Sequence, residues 1–459
     1  MSTAGAGPSA RSGELDRRLG ALDGAAIVVS NVIGGGIFLV PAFVAASVPN
    51  PWAMLAVWLA GGVLAFTGAM AYAELAALRP RAGGEYVYLR EAFGPFAAFL
   101  TGWTSFVAGF AGAIAASAVG LSSYLGRFLP AAADTTPLAT LPLGVLDLTL
   151  SPQAVVAIAV IALLSLVHIL GLGPGRVVQN LLGGLKVALL VGFVAAGFGF
   201  GSGDASHFSA GGAVAPSLWV LALIPVMFSY SGWNAAAYVA EEMRDPGRNV
   251  PLALGLGTAA VVVVYLLLNL LYIYALPVVE FATVEARVVD AAADQLFGPA
   301  VAGPFALASV VMIAASISAM VLAGPRVYYA MARDGLFPAA AARVDPRFRT
   351  PLVAIVAQGV WASLLVLSGR FDQLVEYTGF AVVLFAGLAV TSLFVLRRRA
   401  PDEPRPFRAW GYPLAPMIFS GASLLIVLNA LWGSPTTSGA GVLVIAAGIP
   451  VYFAMRRSR

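Results

Sequence analysis

Two short stretches of this sequence carry backbone that is free to do chemistry. Ile33-Gly34-Gly35-Gly36-Ile37 places three successive glycines inside an apolar run, and Phe228-Ser229-Tyr230-Ser231-Gly232-Trp233-Asn234 interrupts another with hydroxyls, a glycine and an amide. Three glycines cost a helix roughly 3 kcal/mol relative to alanine, so an unwound break is expected at each stretch. Close helix packing would instead space glycines four apart. A broken helix exposes two kinds of end: amide N–H groups at the start of one half attract an anion, and carbonyls at the end of the other attract a cation. A zwitterion satisfies both. The amides of Gly34, Gly35, Gly36 and Ile37 are the candidate anion donors, and the carbonyls around Ile33, Phe228 and Ser229 are the candidate ammonium acceptors. The third candidate is Lys186, the only lysine of the chain, set in Gly183-Gly184-Leu185-Lys186-Val187-Ala188. An ammonium deep in an apolar run costs about 2.5–3.5 kcal/mol on insertion scales, which makes it a functional candidate rather than a snorkelling one.

Elements that could position such groups must be read from the rest of the chain. Of its 459 residues 60% are hydrophobic and only 10% charged, against about 25% charged in soluble domains. Apolar runs of about 20 residues recur, the length that a bilayer demands of a helix. Ala259 to Leu276 shows none of the period-two alternation of a membrane β-barrel strand. Twelve candidate spans start near positions 21, 52, 93, 152, 177, 216, 251, 299, 352, 373, 411 and 438. With both ends of the chain placed in the cytoplasm, only Arg127, Arg287 and Arg370 fall on the opposite side, an asymmetry that fits a multi-pass protein of the plasma (inner) membrane. Residues 1–20 read as a cytoplasmic tail. The two breaks fall in the first and sixth spans. Interruptions at corresponding places in two halves point to a binding site near the bilayer midplane.

The net charge of +4 comes from basic residues at helix ends, which report topology rather than a nucleic-acid partner. There is no phosphate loop, and two histidines far apart offer no metal set, so neither cofactor nor metal is expected. No paired carboxylates within a span suggest an enzyme. With no cysteine, a disulfide-linked subunit is excluded. Other polar residues read more plainly: Glu74 as the partner of an arginine, His168 as interfacial, Arg326 and Arg333-Asp334 as solvated anchors, Gln179 and Asn180 as candidates for an inner vestibule.

The whole chain resembles the amino acid/polyamine/organocation transporter superfamily, which has the LeuT-like fold. The resemblance rests on Gly34-Gly35-Gly36-Ile37-Phe38, on Ala73-Glu74-Leu75 with Pro80-Arg81-Ala82-Gly83-Gly84-Glu85-Tyr86, and on the sixth-span motif with Glu241-Glu242. Arg326-Val327-Tyr328-Tyr329-Ala330-Met331-Ala332-Arg333-Asp334-Gly335 and Pro406-Phe407-Arg408 also match. Gly232-Trp233-Asn234 is most similar to the L-type amino acid transporter branch, whose members are typically exchangers of neutral amino acids. The resemblance implies an all-α integral membrane protein of twelve helices, with residues 21–200 and 216–398 as inverted repeats of five helices and residues 411–456 as the last two. It implies that the first-span glycines hold the substrate carboxylate, that Phe228 gates the site and that Ser229, Ser231 and Asn234 complete it. Gly35 stands where this branch usually has serine. Lys186 would occupy the place that sodium takes in sodium-coupled relatives, bonding the broken first helix and a hydroxyl of Ser316 or Ser318. The reading that follows is sodium-independent exchange of neutral amino acids, with proton-coupled import and non-transporting amino acid sensing as alternatives.

Overall fold

The computed structural model describes residues 15–34, 36–142, 147–209, 211–284, 288–369, 371–433 and 435–457. Helices α1 (Ala21–Val32) and α2 (Gly36–Ser47) are the two halves of the first span, followed by α3 (Pro51–Leu78) and a short helix α4 (Glu85–Phe93). The third span joins α5 (Pro95–Thr104) to α6 (Phe110–Leu125) through a π-helical turn at Ser105–Gly109. A hairpin of β1 (Ala139–Pro142) and β2 (Asp147–Leu150) then interrupts the expected all-helical chain. Beyond it run α7 (Pro152–Ile169), α8 (Leu172–Phe200), and α9 (Pro216–Ser229) with α10 (Ala235–Tyr238), the halves of the sixth span. The remainder comprises α11 (Pro246–Ala275), short α12 (Val278–Phe281) and α13 (Val288–Phe297), α14 (Ala302–Arg333), α15 (Leu352–Ser368), α16 (Phe371–Arg399), α17 (Leu414–Gly433) and α18 (Pro435–Arg457).

Among the described residues nine helices are long and apolar enough to cross a membrane, and three shorter apolar ones, Ala21–Val32, Pro216–Ser229 and Leu352–Ser368, fall where the first, sixth and ninth spans are expected. Starts are set by local chemistry. The Asn50 side chain accepts from the Ala53 amide at 3.0 Å before Pro51, and Ser151 does the same for Ala154 at 3.2 Å before Pro152. In each case a polar cap satisfies a free N–H and proline tolerates the first turn.

Packing around the breaks is close because small residues allow it. A Cβ on Gly24 would stand 2.6 Å from that of Ala253, and one on Gly257 would stand 2.7 Å from that of Val28, so α1 and α11 meet almost backbone to backbone. Gly61 lets Val226 of α9 approach α3 in the same way, with 2.4 Å left for a Cβ. Interfaces between membrane helices are built this way, since lipid gives helices no hydrophobic reason to associate.

Charged residues gather where they can pair. Glu74, fully buried in α3, accepts from Arg397 of α16 at 2.6 Å and from Arg405 at 3.3 Å, and also from the Ala409 amide. Arg326 departs from its expected role as a solvated anchor: it is 1% exposed and pairs with Glu242 through two bonds of 2.8 and 3.1 Å. The reason is helix length. As α14 continues to Arg333, Arg326 lies about two turns inside its end.

Candidate functional site

Ile33 and Gly34 leave helical geometry between α1 and α2, and residues 230–234 turn between α9 and α10. Gly35 lies outside the described residues. At the second break Gly232 has φ +97°, and a Cβ there would meet the Asn31 amide nitrogen at 2.5 Å, so only glycine serves. Asn31 in turn donates to the Gly232 carbonyl at 3.4 Å, which ties the two interrupted spans together.

Lys186 is fully buried in α8 and reaches across to the end of α1. Its ammonium donates to the carbonyls of Ser30 at 3.0 Å and Ile33 at 2.5 Å, and to Ser316 Oγ of α14 at 2.8 Å. Three donors meet three acceptors, so the ammonium is fully satisfied. Ser316 passes its own proton to the Ile33 carbonyl at 3.1 Å. Ile33, expected to offer its carbonyl to a ligand, is therefore already engaged twice. Ser318 stands apart from the lysine: its hydroxyl pairs with His168 Nε2 at 2.9 Å. His168, expected at an interface, is instead 3% exposed, because the face of α7 that carries it packs on α14.

Tyr265 was not singled out by the sequence. From α11 its hydroxyl lies 3.0 Å from both the Val32 and the Ser229 carbonyls, the last residues of α1 and α9. A phenol has one proton to give. At any moment one of those two carbonyls therefore keeps its acceptor capacity, and both residues line the same cavity.

That cavity, of about 650 Å³, is walled by Asn31, Val32, Gly34, Gly36, Phe228, Ser229, Ser231 and Ser316 among others. At its wall the first N–H groups of α2 have no intrahelical partner. Ser229 Oγ and Asn31 Oδ1 are buried without a hydrogen-bond partner, which is what a polar ligand would relieve. Ile37 does not line it; its side chain is fully buried in the core. A second cavity, of about 200 Å³, shares Asn31, Phe228, Ser231 and Met320 with the first and extends to Asn234, Tyr238 and Glu85. Phe228, 44% exposed, stands at the neck between the two. The π-helical turn in the third span contributes Ser105 and Gly109 to the narrower cavity. A third cavity, of about 400 Å³ between α8 and α14, has only apolar side chains and glycine in its wall and offers a zwitterion nothing.

Glu85 was also overlooked, because it lies between spans two and three. At the first residue of α4 it is 6% exposed. It accepts from Tyr72 Oη at 2.9 Å, from Tyr238 Oη, and from Asn234 Nδ2 at 3.4 Å. Burial pushes its carboxyl above the ordinary range, against the opposite pull of the three donors. Asn234, expected to support the site, also donates to Tyr238 Oη at 3.2 Å. Gln179 is buried with both amide atoms unpartnered, and Asn180 donates to Asp23 at 2.5 Å; neither lines these cavities. Among the described residues no group of three or more His, Cys, Asp or Glu is placed to hold a metal.

Two substitutions test this geometry. Tyr265→Phe removes the proton shared by the two helix ends, and exchange in proteoliposomes is expected to fall about ten-fold, the equivalent of one net hydrogen bond of ~1.4 kcal/mol. An unchanged rate would separate Tyr265 from the site. The glycines of the first break should differ from each other. A Cβ at Gly36 would sit 2.9 Å from Ser229 Cα, whereas one at Gly34 would meet nothing closer than Ser316 Oγ at 3.7 Å. Gly36→Ala should thus cost about 1–3 kcal/mol of overpacking and Gly34→Ala little, measured by thermal unfolding in detergent. Equal losses would contradict the packing of α2 on α9.

Comparison with known proteins gives one consistent result. The amino acid permease family model matches residues 19–455. The serine/threonine exchanger SteT of Bacillus subtilis is 29% identical over 448 residues, which cover 97% of this chain and 98% of that one. The b(0,+)-type amino acid transporter 1 of Mus musculus is 30% identical over 449 residues, 96% of this chain and 88% of that one. The human cystine/glutamate transporter is 29% identical over 457 residues, covering 97% and 86%.

Proposed function

Because the chain belongs to the amino acid permease family, we propose that it exchanges neutral L-amino acids across the plasma (inner) membrane by alternating access, without sodium. The observation that carries this reading is the pair of broken helices facing one cavity, with free amides at the start of α2 and carbonyls at the ends of α1 and α9. In that arrangement the amides of Gly34, Gly35, Gly36 and Ile37 hold the carboxylate, and the carbonyl of Val32 or Ser229 left free by Tyr265 accepts from the ammonium. Ser229 and Ser231 complete the polar wall, Asn234 holds the second break, and Phe228 gates the neck. Lys186, bonded to Ser30, Ile33 and Ser316, supplies the cation that the end of α1 attracts, so no diffusible sodium is required. Ser318 belongs to the same helix and acts through its bond to His168.

Residues 21–200 and 216–398 act as two inverted repeats that rock about the breaks, with residues 411–456 beside them and both chain ends in the cytoplasm. Amino acid carried by SteT is named as serine or threonine, and small neutral substrates fit the glycine-lined cavity here. The chain works without a disulfide-linked subunit, as it has no cysteine. The test is uptake of radiolabelled amino acids into proteoliposomes, with and without unlabelled amino acid inside, in the absence of sodium. Uptake should require internal substrate. Uptake driven by an imposed proton gradient alone would replace exchange by proton coupling, and binding without uptake would replace it by sensing.

A further inference from the structure

Among the described residues Glu85 is the only charged one lining either the wide or the narrow cavity. It is not shared between them. The residues common to both are Asn31, Ala113, Phe228, Ser231 and Met320, so Glu85 lines the part of the narrower space that the wide cavity does not share. The wall of the narrower cavity includes the apolar Phe110, Met320, Val382 and Phe385 beside the hydroxyl-bearing Thr101, Thr104 and Ser105. The narrower cavity therefore offers both apolar side chains and a carboxylate to what enters it. Five described ion pairs of this part of the chain engage Arg79, Arg81, Arg90 and Arg326, and none of them reaches Glu85. Its partners are the neutral donors Tyr72, Tyr238 and Asn234.

From this we infer that the narrow cavity is a subsite for the substrate side chain, and that Glu85 extends the substrate range to amino acids with a methylene stem and a terminal cation. The inference rests on the exchange reading, since the α-carboxylate and ammonium are seated on the broken helices. A stem of several methylenes passes the neck and lies against Phe110, Met320, Val382 and Phe385, where it is removed from water. The cationic head then meets a carboxylate already desolvated, so that the pair is formed in a medium of low dielectric, where such a bond is strong. When a neutral side chain is bound, the three donors hold the carboxylate instead, and the site remains satisfied. Glutamate at this position thus widens selectivity without excluding neutral substrates.

Lysine and norleucine separate charge from stem, for they share the methylene chain and differ in the terminal ammonium. The experiment is exchange of labelled alanine in proteoliposomes carrying the full chain, with external L-lysine or L-norleucine as competitor. In the wild type lysine is expected to inhibit at a concentration at least ten-fold lower than norleucine. In Glu85→Gln that ratio is expected to fall to about one, whatever happens to the absolute rate. Lysine competing no better than norleucine in the wild type would overturn the inference with no variant needed, and would leave exchange standing. A ratio preserved in Glu85→Gln would overturn the role of this residue. If no amino acid exchanges at all, the exchange reading falls first and the inference falls with it.

Discussion

Lys186→Met is expected to reduce exchange at least 100-fold while leaving a folded, membrane-inserted protein. The thioether keeps the stem in place and takes away three charge-assisted bonds, to the Ser30 and Ile33 carbonyls and to Ser316 Oγ. Each hydrogen bond to a charged group contributes about 1.5–3 kcal/mol. Their loss takes the side-chain donor from the Ser30 carbonyl and leaves the Ile33 carbonyl with Ser316 alone, in a place where water cannot replace the ammonium. The end of α1 is also where Tyr265 and Ser316 converge, so the disturbance falls on the carbonyls proposed to accept from the substrate ammonium. A factor of 100 corresponds to about 2.7 kcal/mol, less than the loss of two such bonds. Rates of alanine exchange in proteoliposomes, matched for the amount of inserted protein, are the measurement. Exchange by Lys186→Met above a tenth of the wild-type rate would show that the ammonium is structural and does not bear on transport.

The second large effect is on stability. Arg326 and Glu242 are each 1% exposed and bonded to each other twice. Removing one member of a buried pair strands the other charge, at a cost of about 3–5 kcal/mol. Glu242→Leu alone is therefore expected to give aggregated protein on size-exclusion chromatography in detergent. The double variant Arg326→Leu with Glu242→Leu removes both charges and should recover a monodisperse peak, because an apolar pair of similar volume is often neutral or better. If the single variant were as stable as the wild type, the pair would contribute nothing to the fold. If the double variant were worse than the single one, the charges would be needed individually, by partners other than each other.

The parts of this molecule that the sequence makes legible are those that depend on composition along the chain. Apolar length marks the spans, and consecutive glycines at 34–36 or the polar run at 229–231 mark places where a helix cannot continue at low cost. Lys186 is legible because it is the only lysine of the chain and lies too deep in an apolar run for snorkelling to be the better explanation. What remains hidden depends on which face of a helix points where. Tyr265 and His168 sit in helices that are apolar nearly all round, and such helices carry no stripe from which a register can be read. Tyr265 in particular looks like any tyrosine of a membrane helix until α11 is seen against α1. Glu85 is hidden for another reason. Its local sequence, Gly83-Gly84-Glu85-Tyr86, reads as a polar connection, and only the folded chain brings Tyr72 of α3 and Tyr238 of α10 within bonding reach of the carboxylate. Arg326 is misplaced because it reads together with Arg333 as a solvated anchor, whereas α14 runs on to Arg333 and buries Arg326 against Glu242. Ser316 and Ser318 show the limit most simply: two residues apart on one helix, they point to different partners, and the spacing alone does not say which one meets the lysine.

The ammonium at the first break is joined to the chain by covalent bonds. A mobile ion in that place would arrive from one compartment, leave into the other, and bring with it the work stored in its own unequal distribution. A tethered cation goes nowhere. On the proposed exchange reading it fills the same electrostatic need on every cycle and delivers no work, so the direction of net movement is left to the relative abundance of amino acids on the two faces of the membrane. A cell using such a device can trade a plentiful amino acid for a scarce one, and the total it holds stays constant.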